Sequence, residues 1–217
     1  MQAHVQSDFD VIARLSPEPG QPSRLERALL AAVPRGAHVL EVGCGSGAFA
    51  RLLAETAAQV TAIDLSPEMI ARARRWSIGQ HNVAYEVADI MRRDFVDHFD
   101  CVVSIATLHH LPLRQALRRL ADRVAPAGKL LVHDLWDLCT LADLPFALLA
   151  QPVMLVQRLR RRARLDPALA AAWAVHSAHD DIRGFTEIRR DALAVLPTAR
   201  IRRHLMWRWT LEWQRPA

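Results

Sequence analysis

Apolar residues along this chain fall into short runs that alternate with stretches of helical period. After Pro22 and Ser23, the residues Leu25, Leu29, Leu30 and Val33 recur at helical spacing until Pro34, which predicts an amphipathic helix with its start and stop signals. His38–Val42 then predicts a strand, a glycine turn follows at Gly43, Gly45 and Gly47, and Phe49–Ala58 has helical character. The cycle repeats as strand Val60–Leu65 and a helix from Ser66 and Pro67, strand Val83–Ala88, strand Phe99–Ile105 with a helix Pro112–Ala125, and strand Lys129–His133. Short apolar runs alternating with helices are the pattern of parallel βαβ units covered on both faces.

From about residue 137 the rhythm changes. An Ala- and Leu-rich helical stretch runs to Gln157, then come Arg158, Arg160, Arg161, Arg162 and Arg164, then a second helix from Pro167 to about His176. This segment predicts a helical cap. Phe185–Leu196 predicts another helix ended by Pro197, and the β-branched and aromatic residues of Ala199–Trp213 predict two strands, near 199–205 and 207–213. No Gly, Asn or Pro marks a turn between them, so one long bent strand is the other reading. The expected architecture is α/β: a doubly wound, mostly parallel seven-strand sheet in one domain, with core 36–136 and 184–217 and a cap formed by 1–35 and 137–183.

Composition narrows the function classes. With 51% hydrophobic and 24% charged residues, the chain matches soluble globular proteins, not disordered or fibrous ones. Its net charge of +5 does not predict nucleic-acid binding, because all but one of its basic residues are Arg and they form no stripe with stacking aromatics. Cys44, Cys101 and Cys139 are too few and too scattered for a disulfide framework or a Cys-based zinc site, which fits a reducing, cytoplasmic compartment. The N-terminal stretch has no positive n-region followed by an apolar segment, so no signal peptide is expected. The most lipid-like segment, Leu135–Gln157, contains Asp137, Asp143, Pro145 and Pro152. Each mid-membrane Asp would cost roughly 2.5–3.5 kcal/mol, so no membrane span is expected.

The sharpest motif is Val39-Leu-Glu-Val-Gly-Cys-Gly-Ser-Gly47 at a strand-to-helix junction. Its glycines allow a tight turn and let a ligand approach the main chain. Asp64 stands at the end of the next strand, where a carboxylate can accept both ribose hydroxyls. A nicotinamide-dependent oxidoreductase and a methyltransferase compete for such an adenosine-type ligand, and an idle adenosine-binding module is a third reading. Glu41, just before the first glycine, would repel a pyrophosphate but tolerate a ligand bearing an amino group and a sulfonium. Asp89 ends the third strand, in position to accept from an adenine amine, and three acids around one pocket suit a cationic ligand.

These segments resemble class I S-adenosylmethionine-dependent methyltransferases through the order of five motifs: Glu41–Gly47, Ile63–Met69, Ala88–Ile90, Phe99–Leu111 and Ala125–Leu131. The resemblance covers about residues 36–135, and the Leu-His-His-Leu form is most similar to the small-molecule branch that includes quinone-biosynthesis methyltransferases. It implies a Rossmann-like fold and S-adenosylmethionine as cofactor, with S-adenosylhomocysteine as product. The implied cofactor residues are Glu41, Gly43, Cys44, Gly45, Gly47, Asp64, Leu65, Met69, Asp89, Ile90 and Ile105. Ala127 stands where this family often has glycine. The motif of amino-methyltransferases acting on bases or glutamine is absent, which points to a small organic acceptor.

Methyl transfer is an in-line displacement, so the enzyme positions the acceptor and, for a hydroxyl or acidic carbon, removes a proton. His109 and His110 follow the fourth strand and His133 ends the fifth, so these three are the candidate bases. Asp134, next to His133, is read equally as a cap or a substrate contact. His176, His179, Asp180 and Asp181 have a spacing that metal ligands also show, but a solvated helix end is the preferred reading, the rim of a substrate pocket the next, and no metal site is expected. Trp207, Trp209 and Trp213 alternate at strand period and are expected to pack in the core. The arginines 158–164 are read as a solvated helix end or as a contact with an anionic membrane surface.

Overall fold

The computed structural model describes all residues except 1, 18–20, 139–142, 162–165, 179 and 181. In chain order it contains α1 (Gln2–Leu15), α2 (Arg24–Ala32), β1 (His38–Val42), α3 (Ala48–Ala54), β2 (Gln59–Asp64), α4 (Pro67–Trp76) and β3 (Val83–Val87). There follow β4 (Phe99–Ile105), a 3-10 turn at Leu108–His110, α5 (Leu113–Asp122), β5 (Val124–Leu135), α6 (Leu144–Arg161), α7 (Pro167–Ala178), α8 (Phe185–Val195), β6 (Arg200–His204) and β7 (Arg208–Gln214).

The seven strands form one sheet in the order β3-β2-β1-β4-β5-β7-β6, in which β7 alone runs against its neighbours. The strand order reverses between β1 and β4, which opens a crevice at the carboxyl ends of the parallel strands. Alternation along the strands builds two cores. Leu40, Val42, Val102, Leu130 and Val132 face α5 and α8, while Val39, Val60, Cys101, Val103 and Leu131 face the side of α2, α3 and α4. Burial on both faces is why the central strands read as continuous apolar runs.

Helix starts follow their sequence signals. Ser23 caps α2 in a reciprocal capping box with Glu26, and the Ser66 hydroxyl accepts the Met69 N–H at the start of α4, with Pro67 at the first helical position. The helix expected to reach Ala125 ends at Asp122, because Val124 already pairs with Phe99 as the first residue of β5. Ala127 adopts a left-handed φ of 60° there, the conformation glycine would take without strain.

The C-terminal segment forms two strands, β6 and β7. Their hairpin turns at Met206 and Trp207, with φ of 64° and 55°, so non-glycine residues occupy left-handed positions that a glycine or asparagine usually marks. The turn is held from outside: the Trp136 N–H donates to the Trp207 carbonyl at 3.1 Å, the Trp136 indole donates to the Arg208 carbonyl, and the Trp209 indole donates to the Leu135 carbonyl. Trp209 is buried, and Trp207 and Trp213 pack half-buried on the same cluster.

Helix α1 precedes the first helix that the apolar pattern predicts. Its residues Ile12 and Ala13 are buried with Met69 of α4 and Leu169 of α7, and the Arg72 guanidinium donates to the Ala13 carbonyl. Helices α1 and α7 thus lie together beside the crevice. At the other end of the cap, Arg203 of β6 lies 3.5 Å over the Phe146 ring and within 5.3 Å of Trp136 and Phe185, and it pairs with buried Asp143 at 2.5 Å. This clamp fixes the start of α6. The side chains of Arg158–Arg164 lie outside the described residues, as do Cys139, His179 and Asp181. No helix among the described residues is long and apolar enough to cross a membrane.

Candidate active site

A cavity of about 590 Å3 occupies the crevice, walled by the loops after β1, β2, β3 and β4 and roofed by α1 and α7. That volume suits a ligand of ordinary metabolite size. Ten expected cofactor residues line it: Glu41, Gly43, Cys44, Gly45 and Asp64, then Leu65, Met69, Asp89, Ile90 and Ile105. His109 and His110 line it too.

The glycine turn is built by backbone bonds across β2. The N–H groups of Gly43 and Cys44 both donate to the Ile63 carbonyl, at 2.8 and 3.0 Å. Gly43 has φ 77°, and a Cβ there would fall 1.9 Å from the Thr107 hydroxyl oxygen, so no larger residue fits without moving the loop after β4. Gly47 lies outside the cavity lining. Its φ is 75° and a Cβ would meet Tyr85 and Ala73, so the packing of the turn on β3 and α4 requires glycine there.

Asp64 reaches back to accept the Gly45 N–H at 2.8 Å and the Ser66 N–H at 2.9 Å. Burial raises its carboxyl above the ordinary range, partly offset by those amide donors. Asp89 accepts the Met91 N–H at 2.8 Å at the far end of the crevice. Glu41 is buried with Oε2 lacking a hydrogen-bond partner. Desolvation, assisted by Asp64, pushes its carboxyl up to about 8. The Cys44 thiol is pushed well above its usual value by burial and by Glu41 and Asp64, which makes it a poor nucleophile. An uncompensated buried acid beside a glycine cradle suits a ligand that carries positive charge.

The catalytic candidates separate. His109 Nδ1 lies 2.6 Å from Asp134 Oδ1, with both side chains almost fully buried. Asp134 also accepts N–H bonds from Leu108 at 2.6 Å, Leu135 at 2.7 Å and Thr107 at 3.2 Å. Burial alone would raise its carboxyl, but His109 and the amide donors outweigh it and hold it below the usual range. The His110 ring lies against that of His109, with centroids 3.8 Å apart and planes tilted by 48°. Burial and the neighbouring imidazoles of His109 and His176 lower His110 to about 3. His133 is not brought to the cavity. Strand alternation turns it to the opposite face from Asp134, where it is buried with neither ring nitrogen bonded; burial and Arg208 lower it to about 4.

Several cavity residues escaped the sequence reading. Val5, Phe9 and Ile12 of α1 line the cavity, and their helical spacing in the sequence was the available signal. Asp8 approaches His176 Nδ1 at 3.5 Å, and Asp180 approaches His110 Nδ1 at 3.3 Å. These contacts join segments far apart in the chain.

A glycine cradle at the switch point of a 3-2-1-4-5-7-6 sheet, with acids closing β1, β2 and β3, defines a class I methyltransferase. The comparisons agree. A family model described as a methyltransferase domain matches residues 39–128. The ubiquinone biosynthesis O-methyltransferase of Xanthomonas axonopodis pv. citri is 35% identical over 162 residues, which are 70% of this chain and 66% of that protein; the chain thus spans just under two thirds of that relative. Nodulation protein S of Rhizobium tropici is 30% identical over 166 residues, 70% of each chain. The crystal structure of the N-methyltransferase NodS from Bradyrhizobium japonicum WM9 in complex with S-adenosyl-L-homocysteine superposes with a TM-score of 0.65 at 17% identity, covering 98% of this chain and 99% of that one. This chain belongs to the class I S-adenosylmethionine-dependent methyltransferase family, and S-adenosylmethionine is its cofactor.

Proposed function

We propose that this chain transfers the methyl group of S-adenosylmethionine to a hydroxyl of a small, largely apolar organic acceptor. The observation that carries this reading is the buried His109–Asp134 pair beside the glycine turn. When bound, S-adenosylmethionine supplies an electrophilic methyl group on a positively charged sulfur. The residues present fit it: Glu41 has an unpartnered carboxylate oxygen for a cationic ligand, Gly43 leaves room that a Cβ would fill, and Asp64 and Asp89 offer carboxylates toward ribose and adenine.

The protein's remaining task is to seat the acceptor in line and take its proton. Asp134 holds His109 by Nδ1, which leaves Nε2 to accept the proton of the hydroxyl. Asp134, held below the usual carboxylate range by His109 and the backbone donors against the effect of burial, also stabilises the imidazolium that forms. Val5, Phe9, Leu111 and Trp173 in the same cavity suit an apolar acceptor. The expected test is a panel of phenolic and aliphatic hydroxyl acceptors. His109→Gln should lose turnover by about 10²–10⁴-fold while keeping its affinity for S-adenosylhomocysteine; turnover within about threefold of the parent overturns the assignment.

The outer surface supports a place for finding such an acceptor. Helix α6 exposes Leu148, Leu149 and Leu155 ahead of the five arginines at 158–164. This combination suits contact with an anionic membrane surface. The similarity to a ubiquinone-biosynthesis O-methyltransferase fits an acceptor dissolved in lipid.

A further inference from the structure

Where α7 meets the 3-10 turn, four polar side chains from three segments converge: His109 and His110 after β4, His176 in α7, and Asp180 beyond it. The rings of His109 and His110 have centroids 3.8 Å apart, and those of His110 and His176 are 5.0 Å apart. One donor atom each from His109, His110 and Asp180 lie within 4.8 Å of one another. His176 Nε2 lies 3.7 Å from Asp180 Oδ1.

We propose that His109, His110 and Asp180, completed by His176, hold a divalent transition-metal ion that fastens the cap to the sheet. Metal–nitrogen and metal–oxygen bonds of about 2.0–2.1 Å in a tetrahedron place ligand atoms about 3.3 Å apart. His110 Nδ1 and Asp180 Oδ1, at 3.3 Å, already have that separation, and His176 Nε2, at 3.7 Å from the same oxygen, is close to it. Three imidazoles and one carboxylate suit zinc, cobalt or nickel, whereas magnesium and calcium prefer oxygen donors throughout.

Two further features point to a ligand rather than to a closed hydrogen-bond network. The His110 and Asp180 side chains are each only 8% exposed, so an ion between them would be shielded from water. Two of the histidines also carry carboxylates behind them: Asp134 on His109 Nδ1 at 2.6 Å, and Asp8 facing His176 Nδ1 at 3.5 Å. A carboxylate behind a ligating imidazole fixes the ring and raises its basicity toward a metal.

The ion takes the Nε2 lone pair of His109, so its binding and proton acceptance at that atom exclude one another. That consequence rests on the role proposed above for His109; the binding itself does not. Cobalt(II) added to the chelator-stripped protein should bind one equivalent and develop the intense visible absorption of a four-coordinate site, which zinc then bleaches by displacement. Asp180→Asn and His110→Gln should each weaken cobalt binding at least tenfold while circular dichroism shows a folded chain; if His110→Gln fails to fold, Asp180→Asn carries the test. Absence of stoichiometric binding, or unchanged affinity in the folded variants, overturns the site. Stoichiometric cobalt binding with methyl transfer undiminished confirms the site and overturns only the proton role of His109.

Discussion

His133 and Asp134 are neighbours in β5, yet they face opposite sides of the sheet. Asp134 holds His109 at the crevice, whereas His133 is buried on the far face with both ring nitrogens unpartnered. The neutral imidazole is therefore the form the fold accepts. Between pH 6.5 and about 4 the unfolded chain binds a proton that the folded chain refuses, so stability falls as pH falls through that window. His133→Leu should flatten this acid slope and leave cofactor binding unchanged. Urea midpoints at pH 5 and pH 7 check it: a variant as acid-sensitive as the parent contradicts the expectation.

Glu41 behaves with the opposite sign. Its carboxyl at about 8 keeps a proton that the unfolded chain has lost above pH 4.5, so stability falls as pH rises from 4.5 to about 8. Glu41→Gln removes that cost, on the order of a few kcal/mol at pH 8, and should raise the ligand-free melting temperature by roughly 2–4 °C per kcal/mol. A cationic ligand draws Glu41 into its ionised form, so S-adenosylmethionine should bind more tightly as pH rises toward 8. Calorimetry in two buffers of different ionisation enthalpy should show a proton released on binding in the parent and none in Glu41→Gln.

Asp64 has two tasks, holding the Gly45 and Ser66 amides and offering acceptors to a ribose. Charge-assisted hydrogen bonds contribute about 1.5–3 kcal/mol each, so Asp64→Ala should weaken S-adenosylhomocysteine binding at least tenfold. Asp64→Asn keeps one acceptor oxygen and should lie between the two. Titration calorimetry checks the order, and equal affinity in all three proteins counts against the ribose role.

Surface contact through α6 has its own test. Each arginine near an anionic bilayer contributes roughly 1 kcal/mol, so co-sedimentation with phosphatidylserine vesicles should be salt-sensitive and absent with neutral vesicles. Replacing Arg158, Arg160, Arg161, Arg162 and Arg164 by Gln should abolish it, and Leu148→Ser with Leu149→Ser should weaken it. No binding at low salt removes the membrane role.

The sheet was legible because its central strands are buried on both faces: runs such as Val39–Val42 and Cys101–Ile105 admit no other use. Ten of the residues expected to hold the cofactor line one cavity, and they were legible as a group because glycines and acids at strand ends are local signals. Gly47 stands apart from that group, because its lack of a side chain is already required by the packing of Tyr85 and Ala73 against it. His133 was misplaced because closeness to the end of a strand does not settle which face a residue takes: alternation puts it opposite Asp134, paired with Thr210. Asp8 meets His176, and Asp180 meets His110, across long stretches of intervening chain, and nothing local announces either contact.

The position of β7 also bears on how the chain assembles. It is made after β6 but lies between β6 and β5, pairing with β5 from Lys129↔Gln214 to Leu135↔Arg208. Until both strands have left the ribosome, the outer edge of β5 presents its backbone unpaired, an open template for another chain. The indole bonds of Trp136 and Trp209 cross this seam in the finished fold. Aggregation of newly made protein should thus respond to changes at the Met206–Trp207 turn more sharply than the stability of the finished fold does.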